Sequence, residues 1–316
     1  ARYGNFISKN SDVVPPGVDA TRFHPHQSIK ESKEVQSLLD PFIRNPELPP
    51  LLAISRAVRR KNIPALVEAY GRSSVLRQRH NLVLVLGSRE DPRQLEKQQR
   101  DVFQQIFELV DRYDLYGKVA YPKHHRREQI PSIYRWAANK RGLFINPALT
   151  EPFGLTLLEA ASCGLPIVAT DDGGPRDILS RCNNGVLADV TDLDSLQDSI
   201  EQSGSDYKQW SRWQDNGIEG ISRHFSWDAH VCNYLALMQK RTKFVKPQYL
   251  SIPNEKLNSP FADSLLLFDL DSSLDSIEKD SLISLKNHFN SNLNSGNNGL
   301  GVMTGRSIKA ARKNYK

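Results

Sequence analysis

Six short apolar runs, each separated from the next by a stretch of helical length, alternate through the middle of the chain, and few architectures accept such a pattern. The runs are "LLAIS" (51–55), "NLVLVLG" (81–87), "KVAY" (118–121), "GLFIN" (142–146), "LPIVAT" (165–170) and "GVLA" (185–188). They lack the polar alternation of a sheet with one wet face, so they read as parallel strands covered on both sides. Helices are expected near 62–79, 92–115, 128–138, 155–163, 175–181 and 192–203. Strands and helices alternating in this way build a doubly wound α/β domain. Two further helices are expected near 206–222 and 227–242, the second capped by Ser226.

After these helices the pattern stops. "KPQYLSIPNEKLNSP" (246–260) carries three prolines and no apolar period, which marks a linker. Beyond it, "SLLLFDLDSSLDS" (264–276) and "GLGVMTGRS" (299–307) read as strands with their loops. Three regions follow: a first domain over 1–245, the linker over 246–260, and a second α/β segment over 261–316 that is too short for an ordinary core of that class.

Several function classes are disfavoured. The net charge is +6, but "GRSIKAARKNYK" at one end holds much of the excess, and no basic stripe interleaved with aromatics exists, so a nucleic-acid partner is not expected. Cys163, Cys182 and Cys232 are widely spaced, which argues against a zinc site or a disulfide framework and suits a reducing cytoplasm. No run of eighteen apolar residues is present, so no membrane span is expected. His124 and His125 read as a surface pair rather than metal ligands, and no metal site is expected in the first domain. Trp210, Trp213 and Trp227 are assigned to core or domain contacts, and Cys163 to a small buried position.

The densest chemistry lies in "TEPFGLTLLEAASCGLPIVAT" (150–170). A helix beginning near Gly154 or Leu155 leaves the amides of Phe153, Gly154 and Leu155 as unpaired donors, and a glycine there lets a ligand approach the backbone. An anion fits. Glu151 and Glu159 would repel it unless they bind something else, and ionised carboxylates accept strongly from sugar hydroxyls. Upstream, "AISRAVRRKN" puts Arg56 at a strand end and Lys61 five residues on, where two cations face the crevice of an open α/β sheet. Arg56 as a fork and Lys61 as a point charge suit a diphosphate. The same residues also read as a solvated basic turn, and the glutamates as flanks of an ordinary capped helix.

Taken together, "SRAVRRKN", "EPFGLTLLE" with its E-x7-E spacing and "DDGGPRDI" resemble the retaining GT-B glycosyltransferases. "VVPPGVDATRF", "VAYPKHH", "FINPALTEPFGLTLLEAASCGLPIVATDDGGPRDI" and "HFSWDAH" are similar to the sucrose-phosphate synthase family, over residues 1 to about 242. The resemblance implies the Rossmann-like, donor-binding C-terminal domain of a GT-B enzyme, with the acceptor domain missing and the piece inactive by itself. It implies transfer of glucose, with retention, from UDP-glucose to fructose 6-phosphate, with no tightly bound cofactor. By the same resemblance Arg56 and Lys61 bind the diphosphate and Glu151 lies beside the transferred glucose. The loop Phe153, Gly154, Leu155 and Thr156 supplies backbone donors, Glu159 holds the ribose, and Lys123 falls in the loop that reads uracil. Gly173 and Gly174 match a turn that closes the crevice, or form a plain strand-to-helix turn.

"LLLFDLDSSLD" resembles the D-x-D-x-T signature of haloacid-dehalogenase-type (HAD-like) phosphatases, the family of sucrose-phosphatase. That likeness implies Asp269 as nucleophile, Asp271 as general acid/base and Thr304 as a phosphate contact, with Mg2+ in a complete domain. Ser273 stands where the signature has Thr, and the later lysine and acidic motifs have no counterpart, so this segment is expected to be inactive. A sucrose-phosphatase is a partner the resemblance admits. The alternatives are another retaining GT-B transferase, such as a sucrose synthase acting on free fructose, a non-catalytic nucleotide-sugar-binding module, and a sucrose-6-phosphate phosphatase.

Overall fold

The computed structural model describes residues 13–26 and 28–242. Each of the apolar runs forms a strand: β1 (Pro50–Ile54), β2 (Asn81–Val85), β3 (Val119–Ala120), β4 (Leu143–Asn146), β5 (Ile167–Thr170) and β6 (Gly185–Ala188). They pair in parallel in one sheet of order β3-β2-β1-β4-β5-β6. The strand order reverses between β1 and β4. At such a switch point the loops leaving neighbouring strands diverge and open a crevice at the carboxyl edge of the sheet.

The helices are α1 (Ile29–Leu39), α2 (Ile63–Arg72), α3 (Ser74–Arg79), α4 (Lys97–Arg112), α5 (Ile130–Asn139), α6 (Leu155–Ser162), α7 (Pro175–Cys182), α8 (Leu193–Ser203), α9 (Tyr207–His224) and α10 (Trp227–Thr242). Successive strand residues face opposite ways. Leu52, Phe144 and Ile167 join one buried cluster with α1, α5, α6 and α7, whereas Leu51, Leu143 and Ile145 join another with α2, α3, α4 and α8. α9 reaches both: Ile221 belongs to the first cluster and Trp210 to the second, where its indole Nε1 donates to Gly142 O at 2.9 Å. The chain divides into two units, Ala1–Tyr234 and Leu235–Lys316, and the sheet lies in the first.

Three details depart from the sequence expectations. The helix expected over 62–79 breaks at Ser73, whose Oγ accepts from Leu76 N at 2.9 Å and restarts the chain as α3. Of the two roles expected for Trp227, core or domain contact, the core is excluded: it is 51% exposed and stands edge-on to His230. The helix α1 was not expected, because it buries only Val35 and Leu39. A capping box starts it, with Glu31 N donating to Ser28 Oγ and Ser28 N to Glu31 Oε2 at 2.9 Å. Glu31 Oε1 then accepts from Arg135 Nη2 and Ser132 Oγ, which ties α1 to α5. Burial acts to raise the Glu31 carboxyl, but the Ser28 and Ser132 hydrogen bonds and the Arg135 charge outweigh it and bring it to about 2.

Ser226 caps α10 as expected, accepting from Ala229 N at 3.1 Å. The linker over 246–260 and the HAD-like segment with Asp269, Asp271 and Thr304 lie outside the described residues. Among the described residues no helix is long and apolar enough to cross a membrane.

Candidate active site

The chain leaves β1 through Ser55 and Arg56, then makes a 3-10 turn over Arg59–Lys61. Asn62 ends that turn at φ 53 and opens α2, which fixes the direction in which Lys61 points. Lys61 Nζ donates to Glu151 Oε2 at 2.5 Å, in a pair whose side chains are only 13% and 10% exposed. Arg60 reinforces the junction between the two loops: its Nη1 donates to Thr150 O at 3.0 Å, and its carbonyl accepts from Leu149 N at 2.9 Å. The cations therefore differ from each other. Lys61 is held by a buried carboxylate, while Arg56 is exposed and forms no ion pair among the described residues.

Glu151 follows β4. Besides Lys61 it accepts from Asn146 Nδ2 at 3.2 Å, and the amide of Asn146 is itself oriented because Ala148 N donates to its Oδ1 at 3.2 Å. A carboxylate with 7% exposure needs such partners, since an ionised group taken out of water is costly unless it is paired and hydrogen-bonded. The Glu151 main chain is pinned as well: its N–H donates to Asp172 O at 3.2 Å and its carbonyl accepts from Gly174 N at 2.8 Å.

That last contact explains the paired glycines after β5. At Gly173, φ is +102 and a Cβ would lie 2.2 Å from Glu151 O; at Gly174 a Cβ would lie 2.1 Å from Phe153 O. The turn is thus pressed backbone to backbone against the Glu151–Phe153 loop. Gly173→Ala is expected to cost about 2–5 kcal/mol through left-handed strain and the clash. Thermal denaturation reads that loss, and an unchanged melting temperature would show that the turn can move away.

Gly154 has φ 103 and is the N-cap of α6, so the helix begins where the sequence places it. Leu157 N and Leu158 N donate to Gly154 O, whereas the amides of Gly154, Leu155 and Thr156 belong to the first turn, whose N–H groups lack intrahelical acceptors. Gly154 is buried, Phe153 and Thr156 are half-buried, and Leu155 is 51% exposed. One turn further on, Glu159 is half-buried and accepts from Tyr134 OH at 3.2 Å. Burial raises its carboxyl above the ordinary value, against the Tyr134 hydrogen bond and the charges of Arg22 and Arg127.

Lys123 follows β3 with its side chain exposed, and its carbonyl accepts from Arg89 N at 2.8 Å. Of the residues singled out in the sequence, Lys61 and Glu151 meet directly. Arg56, the Phe153–Thr156 loop and Lys123 share the carboxyl edge of the sheet, with Glu159 on α6 just behind it. Asn146, Tyr134 and Arg89 were missed. Asn146 carried a signal, as a polar residue closing an apolar strand; Tyr134 and Arg89 carried none, because one sits in a helix-like stretch and the other in a charged turn. Among the described residues no group of three or more His, Cys, Asp or Glu side chains is placed to hold a metal ion.

A parallel sheet with helices on both faces, a strand-order reversal between β1 and β4 and a helix N-terminus at that point define the class of doubly wound, Rossmann-like α/β domains. Residues 40–220 match the family model "Glycosyl transferases group 1", and the chain belongs to that family. It is 42% identical over 242 residues to sucrose-phosphate synthase 4 of Arabidopsis thaliana, covering 71% of this chain and 23% of the relative. It is 40% identical over 247 residues to the sucrose-phosphate synthase of Spinacia oleracea, covering 74% of this chain and 23% of that protein. The chain thus spans about a quarter of the length of these curated relatives. Among solved structures, a sucrose-phosphate synthase from Thermosynechococcus elongatus superposes with a TM-score of 0.58 at 25% identity, over 73% of this chain and 53% of that one. Anabaena Alr3699/HepE, solved in complex with UDP and glucose, shares the fold, with a TM-score of 0.57 at 18% identity over 71% of this chain and 55% of that one.

Proposed function

We propose that this chain is the donor-binding part of a sucrose-phosphate synthase, which moves glucose with retention from UDP-glucose to fructose 6-phosphate and releases UDP and sucrose 6-phosphate. The observation that carries the reading is the Lys61–Glu151 junction at the switch point, beside the Gly154 helix start, in a chain 42% identical to a sucrose-phosphate synthase. The UDP, glucose and UDP-glucose bound by Alr3699/HepE support a UDP-sugar as donor in this fold.

In this reading Arg56 grips the diphosphate as a fork, and Lys61 adds a point charge to the oxygens that become negative as the bond to glucose breaks. Glu151 accepts from hydroxyls of the glucose while it holds Lys61. The first-turn amides of α6 meet the phosphate or the sugar, and Glu159 accepts from the ribose hydroxyls. The backbone around Lys123 reads the base. The departing diphosphate takes the proton of the acceptor hydroxyl on the same face of the sugar, so no separate basic side chain is required. The acceptor and its phosphate are bound by parts of the protein beyond this domain, and the reaction takes place in the cytoplasm.

A chimaera tests the whole reading: residues 1–242 replace the matching span of the spinach relative, and transfer from UDP-glucose is assayed with fructose 6-phosphate and with fructose. Sucrose 6-phosphate formation that is lost with Arg56→Ala supports the proposal. Transfer to free fructose alone would favour a sucrose-synthase-like enzyme, and a folded chimaera that binds UDP without turnover would favour a binding module.

A further inference from the structure

β4, one of the two strands that flank the switch point, ends on a polar residue. Its sequence is Leu-Phe-Ile-Asn, and Asn146 is 6% exposed, in register with Ala169 of β5. A buried carboxamide at the end of an apolar strand is costly unless its donor and its acceptor are both met. Both are: Oδ1 accepts from Ala148 N at 3.2 Å, and Nδ2 donates to Glu151 Oε2 at 3.2 Å. The main-chain donor at Ala148 fixes which end of the amide is which, so the NH2 group is turned to the carboxylate.

Glu151 thus receives two donors, and both go to the same atom. Lys61 Nζ and Asn146 Nδ2 fill the two lone-pair sites of Oε2. Oε1 meets no donor among the described residues, yet it is not among the sealed side-chain atoms that lack one. It is the oxygen left to the crevice, on a side chain whose Cγ lies 3.6 Å from where a Cβ on Gly154 would stand, at the start of α6. The two donors differ in what they fix. An ammonium on a flexible four-carbon stem follows either oxygen if the carboxylate turns, and that terminal torsion of a glutamate is a soft one. The amide does not follow, because its strand and Ala148 N hold it.

We infer that Asn146 is a positioning residue for the transfer: it locks the rotation of the Glu151 carboxylate, so that Oε2 stays with Lys61 and Oε1 is offered to a hydroxyl of the donor sugar. The inference rests on the proposed contact of Glu151 with the transferred glucose. Without the amide the carboxylate turns, and the acceptor that the sugar needs is no longer held in one place.

The test is calorimetric titration of UDP-glucose and of UDP into the 316-residue chain and into its Asn146→Leu and Asn146→Asp forms, with melting curves to show that each is folded. UDP lacks the glucose and reads the rest of the site. Leucine fills the space without a donor. Aspartate keeps the acceptor for Ala148 N and loses only the donor to Glu151, and the leucine form serves if a second buried carboxylate prevents folding. Both variants are expected to bind UDP as the wild type does and UDP-glucose about tenfold more weakly, as for loss of a hydrogen bond to a charged group. The aspartate form carries a further signature. Two carboxylates this close share a proton, and a protonated carboxyl donates where the amide did. Lys61 and Arg60 on the loop after β1 and Asp172 on the loop after β5 also face this junction, and they are the same in every form. Measured against wild type at each pH, UDP-glucose binding by the aspartate form is therefore expected to recover on acidification while the leucine form stays weak, a difference that general loosening of the fold would not give. Equal losses for UDP and UDP-glucose would make Asn146 a support of the fold alone and overturn the inference. Wild-type affinities in both folded variants, or an aspartate form that acid does not restore, would overturn it as well and leave the donor site standing. Unchanged UDP-glucose binding by Glu151→Gln, or a wild-type chain that binds neither nucleotide, refutes the proposed sugar contact or the donor site itself, and the inference with it.

Discussion

Lys61→Met is expected to lower the thermal stability of the sheet domain and to abolish most donor chemistry with the same substitution. The stability effect comes from Glu151. Its carboxylate is 7% exposed and would keep only the Asn146 hydrogen bond, so an ion would remain buried without its counter-charge. Removing one partner of such a pair costs about 3–5 kcal/mol, even where replacing both by neutral groups costs little. The double variant Lys61→Met/Glu151→Gln is therefore expected to recover most of the loss, since a carboxamide needs no cation. The chemical effect is separate. Loss of a group that stabilises charge at the departing diphosphate lowers turnover by roughly 10²–10³, and the double variant does not restore it. Melting curves and transfer rates for the two proteins check both parts. A single variant as stable as the wild type would contradict the role of Lys61 as the counter-charge of a buried Glu151.

Glu159→Gln is expected to move stability and binding in opposite directions. Burial raises the Glu159 carboxyl in the fold. A carboxyl with a raised folded pKa contributes its stability below the unfolded value and loses it as pH rises through the folded value. At neutral pH the ionised group is therefore a burden, the glutamine variant is the more stable protein, and the difference closes on acidification below the ordinary carboxyl range. Tyr134 can still donate to a carboxamide oxygen. UDP binding is expected to weaken by about 10–100-fold, because the charged acceptor for two ribose hydroxyls is gone. Melting temperature against pH and nucleotide affinity are the two readouts. A variant both less stable and unchanged in affinity would make Glu159 a structural partner of Tyr134 only.

These opposite signs follow from what a site asks of a fold, and they bear on what the sequence could reveal. The strands were legible because each is an apolar run, buried through β2 to β5 although half-exposed in the edge strand β6, and the start of α6 because Gly154 precedes an apolar helix. The helix α1 was not, although its S-x-x-E capping box is plain in "SIKE", because only Val35 and Leu39 are buried and the apolar period is too weak to see. Its attachment depends on Arg135, a residue 106 positions beyond Ile29, and such a contact leaves no local trace. The same reason hid the site's supporting residues. Arg56, Lys61, Glu151 and Glu159 stand in short motifs whose spacing is chemical. Asn146 and Tyr134 act through three-dimensional proximity, and Arg89 through the carbonyls of a loop 32–34 residues away. The ion pair between Lys61 and Glu151 was also unforeseen: the sequence placed one at phosphate and the other at sugar, and only burial makes each the other's partner.

The most direct measurement is calorimetric titration of UDP into the 316-residue chain, beside Arg56→Ala and Glu159→Ala. The account predicts one UDP per chain, with binding lost when either the diphosphate fork or the ribose acceptor is removed. A folded chain that binds no nucleoside diphosphate, or that binds UDP equally well without Arg56 and Glu159, would contradict it.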